Sequence, residues 1–194
     1  TGNAAQGGAV AVSGDGNFAI FGGIDDNSEV GAAWVFKRVN GVWTEQNKLV
    51  GSNAVGAARQ GESVALSADG KTAIVGGNGD SSYTGAAWIF TQIPTSIGYI
   101  WSEQAKLVGT GGIGETDQGG SVALSAGGNT AIVGGYHDNS EVGAAWVFTR
   151  SGTTWTQQAK LVGSGGVGPG GQGFSVGLSA DGNTAILGAP DDNN

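Results

Sequence analysis

The sequence predicts an all-β fold built of β-propeller blades of four antiparallel strands, about 3.5 repeats of roughly 55 residues, either a partial propeller or a fragment of one. Three observations carry this. Gln-Gly recurs at Gln6-Gly7, Gln60-Gly61, Gln118-Gly119 and Gln172-Gly173, and each pair opens nearly the same text. Within each copy, short apolar runs of period two are separated by Asp, Asn and Gly, which is the pattern of strands and turns. No segment carries an apolar stripe at helical spacing with caps. The chain is therefore one repeat domain over 1–194, with repeats at 6–59, 60–117 and 118–171 and a half repeat at 172–194.

The elements follow in order. Strand one is SVALS, at Ser63–Ser67 and Ser121–Ser125, where Val64 and Leu66 alternate with small residues. Asp69-Gly70, Gly127-Gly128 and Asp181-Gly182 come next and predict a type I′ hairpin turn. Strand two is TAIVGG, at Thr72–Gly77 and Thr130–Gly135, with the Val/Ile content of a buried strand. A polar loop 2–3 follows, DDNSEV, GDSSYT or HDNSEV.

Strand three is GAAWVF or GAAWIF, at Gly31–Phe36, Gly85–Phe90 and Gly143–Phe148. Trp and Phe lie two apart and share one sheet face. This predicts a structural core of Trp34, Trp88 and Trp146 with Phe36, Phe90 and Phe148, packed between sheets. Strand four begins at Trp43, Trp101 and Trp155, and its charged residues suit an outer, half-exposed strand. The second copy is longer between Phe90 and Trp101. The extra residues fall in TQIPTSIGYI around Pro94, which predicts an exposed loop.

Composition narrows the function. Glycine fills 40 of 194 positions, but three prolines and no Gly-X-Y period exclude collagen. Six Trp, six Phe and 39% hydrophobic residues argue against disorder. There is no cysteine, hence no disulfide and no thiolate chemistry, and His137 is the one histidine. Sixteen acidic residues against eight basic ones give a net charge of −8, which argues against nucleic acid as a partner. No apolar run approaches the roughly 20 residues of a membrane span. The opening TGNAAQGG carries no signal peptide and reads as a mature or cut end.

FSVGLSADGNTAILGAP (Phe174–Pro190) resembles an FG-GAP repeat, the blade unit of the integrin α-subunit propeller and of many bacterial surface proteins. Gly-Ala-Pro is literal at Gly188-Ala189-Pro190 and reduced to Gly22-Gly23, Gly76-Gly77 and Gly134-Gly135 elsewhere; Phe174 is followed by Ser175 rather than Gly. The resemblance implies an innermost strand one, an outermost strand four, and an extracellular or cell-surface setting. It also implies a ring of more blades than this chain supplies, so the chain is expected to be an oligomer or part of a longer propeller. Many members bind Ca²⁺ in the hairpin between strands one and two. Here that hairpin is shortened and keeps a single carboxylate per copy (Asp15, Asp69, Asp181), with Gly127 in the third. Calcium takes six to eight oxygens, so the family's metal site does not carry over.

A four-stranded meander sends loop 2–3 and the 4–1 crossover to the same face. That face gathers the candidate ligand-binding residues Asp25, Asp26, Glu29, Asp80, Tyr83, His137, Asp138, Glu141, Asp191 and Asp192. The crossovers add Asn53, Arg59, Glu115, Asp117 and the run Ser164–Gly171. Asp, Asn and Glu in loops suit hard cations and polyhydroxyl sugars, and they equally make ordinary solvated turns. If Ca²⁺ binds, Asp25, Asp26 and Glu29 are its candidate ligands. No catalytic residue is predicted: the serines belong to turn text, and the glycine-rich runs lack a phosphate-binding Lys and a following helix. Near-identical copies suit multivalent binding. The reading is a non-catalytic recognition or adhesion module for an extracellular protein or glycan. The alternative is a structural or assembly unit of a larger surface protein or fibre, whose partner is further copies of itself.

Overall fold

The computed structural model describes residues 4–192. Residues 1–3 and 193–194 of the predicted domain lie outside the described residues.

The chain is all-β, about 3.5 propeller blades of four antiparallel strands. The first blade runs β1 (Val10–Val12), β2 (Phe18–Gly23), β3 (Ala32–Val39) and β4 (Val42–Leu49). The second runs β5 (Ser63–Leu66), β6 (Thr72–Gly77), β7 (Ala86–Thr95) and β8 (Gly98–Leu107). The third runs β9 (Ser121–Leu124), β10 (Thr130–Gly135), β11 (Ala144–Ser151) and β12 (Thr154–Leu161). Two strands remain, β13 (Ser175–Leu178) and β14 (Ala185–Gly188). Each sheet is a meander in chain order. The first strands of successive blades, β1, β5, β9 and β13, pack against one another and form the inner rim.

The blades approach closely because glycine lines their inner strands. A Cβ on Gly22 would lie 2.0 Å from the Gly61 carbonyl oxygen, and one on Gly76 would lie 2.2 Å from that of Gly119. Backbone bonds join the hairpins of neighbouring blades: Gly14 N–H to Ala68 O, Ala68 N–H to Ala126 O, and Ala126 N–H to Ala180 O, each 2.9 Å. Ser63 Oγ donates to Gly119 O and Ser121 Oγ to Gly173 O, both at 2.7 Å.

The cores lie between blades. Ile20 and Val35 of the first sheet meet Val75, Trp88 and Phe90 of the second. Ile74 and Ile89, on the opposite face of that second sheet, meet Val133, Trp146 and Phe148 of the third. The period-two pattern thus gives every middle sheet two buried faces. Trp34, Trp88 and Trp146 are all buried, as are Phe90 and Phe148. Phe36 departs from the expected core. It is half-buried and borders a cavity of about 460 Å³ with Val12, Ala19, Phe21 and Trp43, because no blade packs on that flank.

Two further expectations are corrected. The hairpin turn is not type I′: Gly16, Gly70, Gly128 and Gly182 have positive φ, whereas the Asp or Gly before each does not. The Asp side chain instead organises the turn. Asp15 Oδ1 accepts Ser13 Oγ–H at 2.6 Å and Asn17 N–H at 2.9 Å, which favours the local turn over a plain two-residue hairpin. The extra residues of the second repeat do not make a loop. They lengthen the β7–β8 ladder through Ile93↔Ile100, Pro94↔Tyr99 and Thr95↔Gly98, and Tyr99 then reaches Phe18 of the first blade, ring centroids 6.2 Å apart. Loop 2–3 contains a four-residue helical turn in each full blade, Asp26–Glu29, Asp80–Tyr83 and Asp138–Glu141, and it is left-handed within.

Strand three and strand four shift register at one equivalent point in every blade, Val35/Phe36, Ile89/Phe90 and Val147/Phe148. The residue skipped on strand four is Gln46, Gln104 or Gln158. Gln104 turns to the next blade and accepts the Trp155 indole N–H at 2.9 Å, a re-aimed side chain of the kind a bulge supplies.

Candidate functional site

The face formed by loop 2–3 and the 4–1 crossover is built the same way in each blade. Strand two ends, the chain passes through the left-handed turn, and Gly31, Gly85 or Gly143 at positive φ returns it to strand three. The first residue of each turn, Asp26, Asp80 or Asp138, is buried. Strand four brings a lysine to it: Lys48–Asp26 at 2.5 Å, Lys106–Asp80 at 2.7 Å and Lys160–Asp138 at 2.6 Å. Each ammonium also sits over an indole, Lys48 on Trp34, Lys106 on Trp88 and Lys160 on Trp146, at 5.2–5.4 Å. The second carboxylate oxygen holds the crossover. Val55 N–H donates to Asp80 Oδ1 and Ile113 N–H to Asp138 Oδ1, both at 2.8 Å.

The indoles and the repeated glutamine complete this latch. Trp88 Nε1 donates to Ser52 O and Trp146 Nε1 to Thr110 O, each at 2.9 Å. Gln60 Oε1 accepts Gly51 N–H at 2.6 Å while its amide nitrogen donates to Gly51 O at 3.1 Å; Gln118 repeats this with Gly109 and Gln172 with Gly163. Asp26, Asp80 and Asp138 are therefore withdrawn from the predicted binding surface. Their charge is matched by lysine, as burial of a carboxylate requires. Asp26 is lost to the candidate calcium set with them, which leaves Asp25 and Glu29, both exposed. Among the described residues, no three His, Asp or Glu side chains gather in a metal-holding arrangement.

What the latch presents is the rest of the turn. Asn27, Ser28 and Glu29 have φ of 51°, 58° and 64°; Ser81, Ser82 and Tyr83 have 52°, 55° and 64°; Asn139, Ser140 and Glu141 have 54°, 57° and 67°. All nine are exposed. Each left-handed non-glycine residue costs roughly 1–2 kcal/mol. The turn backbone is held from both sides: Ser81 N–H donates to Val55 O, and the Tyr83 carbonyl accepts Thr116 N–H and Asp117 N–H. Asp191 and Asp192, in the half blade, are exposed too, and Asp192 Oδ1 accepts Val167 N–H at 2.8 Å as its sister residues do.

His137 behaves differently from the Asp25 it replaces. Its Nδ1 lies 3.3 Å from Asp117 Oδ2, and Asp117 is buried. Burial pushes the Asp117 carboxyl pKa up, against the opposing pull of His137, Tyr136 and Asn78. Burial and the neighbouring Asp117 likewise raise the Tyr136 phenol. Arg59 and Glu62 stand alongside, Nη2 to Oε2 at 3.7 Å. Sequence reasoning missed Glu62, Asn78 and Tyr136. The signal was available: these are positions at which otherwise near-identical repeats differ, Glu62 against Gly120 and Phe174, Asn78 against Ile24 and Tyr136.

Residues 43–90 match the family model for the FG-GAP repeat. The match takes in nearly all of β4, the crossover, β5 and β6 and the first half of β7, so the resemblance read at Phe174–Pro190 extends to an interior copy of the repeat. No curated protein matches the sequence. Among solved structures, Sqt1 from Chaetomium thermophilum is similar at 16% identity and TM-score 0.61, over 96% of this chain and 41% of its own. A functionally unknown protein from Desulfotomaculum acetoxidans follows at 14% identity and TM-score 0.59, over 94% and 48%. Hydrazine synthase of Kuenenia stuttgartiensis is similar at 17% and TM-score 0.53, over 94% and 58%. The chain thus spans about half the length of these structures, and at such identities the likeness concerns the fold alone.

Proposed function

We propose that this FG-GAP-type propeller segment is a non-catalytic recognition module that binds protein or glycan ligands through its loop 2–3 and crossover face, outside the cell or at its surface. One observation carries the reading. Three blades each spend backbone strain on the same left-handed turn, and the side chains so displayed (Asn27, Ser28, Glu29 and their counterparts) make no salt bridge and mostly no bond to the fold among the described residues. Strain held in place by surrounding structure points to function. The buried Asp–Lys pairs supply that hold, so the display is pre-organised and loses little freedom on binding. Repetition then favours avidity for a repeating or clustered ligand.

Glycan arrays probed with a multivalent form of the chain, together with pull-down from cell surfaces, test this. Binding that survives multimerisation and disappears for the single chain at equal concentration is the expected outcome; no binding in either format sinks the proposal.

An assembly role is favoured by a different observation. The first blade leaves Val10, Val12 and Trp43 exposed on one flank, and among the described residues β14 of the half blade is unpaired on its outer side, with Ile186 73% exposed. Apolar flanks and open strand edges associate with further strands or copies.

A further inference from the structure

We infer that the two free flanks of this chain dock on each other, so that two copies join head to tail and close into one ring. The inference rests on the assembly reading above and names its partner, a second copy.

The internal seams show what one blade takes from the next. The earlier sheet contributes an isoleucine from strand two: Ile20, Ile74 and Ile132 are all fully buried. The later sheet receives it on an apolar wall, as Ile74 is received by Val122, Leu124 and Val133 of the third blade. Along the inner rim the earlier blade gives the donors and the later one the acceptors. Gly14, Ala68 and Ala126 N–H each donate to the following hairpin, and Ser63 and Ser121 Oγ donate to Gly119 O and Gly173 O.

Each free flank holds one half of such a seam. On the half blade, Ile186 stands at the position of the buried isoleucines and is 73% exposed. Ala180 N–H is the next donor of the rim ladder, and Ser175 stands where Ser63 and Ser121 do; among the described residues neither has an acceptor. Gly188 keeps the glycine that close approach demands. A Cβ at its sister positions Gly76 and Gly134 would collide with the carbonyl oxygen of Gly119 or Gly173 in the following blade. The atoms nearest a Cβ on Gly188 all belong to Ser175 of its own sheet. The first blade carries the matching half. Val12, Ala19, Phe21 and Phe36 border the recess of about 460 Å³, with Val12 and Phe21 at the positions of Leu124 and Val133. Gly7 O and Gly14 O stand at the positions of the accepting Gly119 O and Ala68 O, on exposed residues, and among the described residues they accept no hydrogen bond.

Donors, a bare glycine and a projecting isoleucine thus lie on one flank, and acceptors and an apolar recess on the other. Two identical flanks set face to face would oppose donor to donor, so the contact is heterologous. A heterologous contact closes into a ring where the rotation permits and otherwise runs on as a filament. The chain has three four-stranded sheets and one two-stranded sheet, so two copies bring eight sheets to the ring. Propellers close with roughly four to eight blades. Docking uses sheet faces and leaves the outer edge of β14 free.

Sedimentation velocity of the whole chain over a range of concentrations tests this, with two charged variants. The parent should sediment as a pair. Ile186→Lys and Val12→Glu replace side chains that are 73% and 66% exposed, so each should fold as the parent does. Each should weaken pairing at least about tenfold, because docking buries an unmatched charge at the junction. Mixed in equal amounts, the two variants should pair again, through one native junction and one in which the introduced lysine faces the introduced glutamate. Val10→Glu replaces Val12→Glu should the latter fail to fold. A parent that is monomeric at every concentration removes the assembly reading and this inference together. A parent that associates while the folded variants associate equally well, a mixture that stays monomeric, or polymers larger than the pair overturns the head-to-tail ring and leaves the assembly reading standing.

Discussion

The indole of Trp88 fills the space beside Gly51 of the preceding crossover: a Cβ on that glycine would stand 2.1 Å from Trp88 Cδ1. Trp146 stands in the same relation to Gly109, at 2.2 Å. Blades are therefore joined by a tryptophan from one sheet inserted against a glycine at the end of the sheet before it. Gly109→Ala should lower unfolding free energy by about 1–3 kcal/mol through overpacking, and Trp146→Ala by about 3–5 kcal/mol through cavity formation. Denaturant melts of the two variants measure both. A loss below about 1 kcal/mol for Trp146→Ala would contradict its fully buried placement.

The same relation is unfilled at Gly163. There Gln172 already holds the Gly163 backbone and Asp192 already holds Val167, yet a cavity of about 620 Å³ lined by Gly163, Leu161, Leu187 and Asp192 stands where the other blades have their indole. β14 is open alongside. A peptide with the sequence of Gly143–Arg150, GAAWVFTR, should pair with β14 and seat its Trp beside Gly163. Trp fluorescence and the amides of Gly163 and Ile186 report it. A Trp→Ala peptide binding equally well would show that the slot is not specific for indole.

The strand layout was legible in the sequence because period and turn residues are local. Thr72–Gly77 and Thr130–Gly135 coincide with β6 and β10, and the paired Trp and Phe of strand three are buried except at Phe36, whose burial depends on a neighbouring blade. The insertion at Pro94 extends a hairpin rather than a loop, and Tyr99 on it meets Phe18 of another sheet, a contact that no local pattern announces. Half of the site misled in a different way. Asp26, Asp80 and Asp138 look like surface loop residues, and nothing within the loop says otherwise. The clue lay in strand four, where Lys48, Lys106 and Lys160 recur one for each Asp. The left-handed turns have no local signal beyond Asn and Ser, which tolerate that region.

The Asp–Lys pairs make a sharper prediction. Asp80 and Lys106 have side chains 1% and 19% exposed. Lys106→Met should leave a buried, unmatched carboxylate and cost about 3–5 kcal/mol, whereas the double variant Lys106→Met with Asp80→Asn should recover a large part of that loss. A double-mutant cycle by denaturant melting measures the coupling. Additive losses would mean that the pair does not hold the turn.

Acid stability follows from the hairpins. The Ser13 hydroxyl, then the backbone and side chain of Asn17, hold the Asp15 carboxyl down to about 2 from an ordinary 3.8. Asp181 is lowered in the same way by Ser179 and Asn183. A depressed folded pKa means stability that is present above the unfolded value and lost as pH falls through the folded one. These turns should therefore weaken between about pH 4 and about pH 2. Asp117 has the opposite sign: its raised pKa favours the fold at low pH, and that contribution disappears as pH rises through the folded value. Melting temperature against pH for Asp15→Asn and Asp117→Asn should show the acid limb flattened in the first and the higher-pH decline reduced in the second. Identical profiles for both variants and the parent would remove this account of the two carboxylates.

On the proposed function, the exposed turn residues recognise a ligand while the latch beneath them maintains the fold. The most direct test replaces only the display, with Glu29→Gln, Tyr83→Asn and Glu141→Gln together. The new side chains are polar, and Asn suits the left-handed backbone at position 83. The variant should keep the parent's melting temperature and lose its binding in the glycan-array and cell-surface pull-down assays. A variant that melts with the parent and still binds every target the parent binds would contradict the claim.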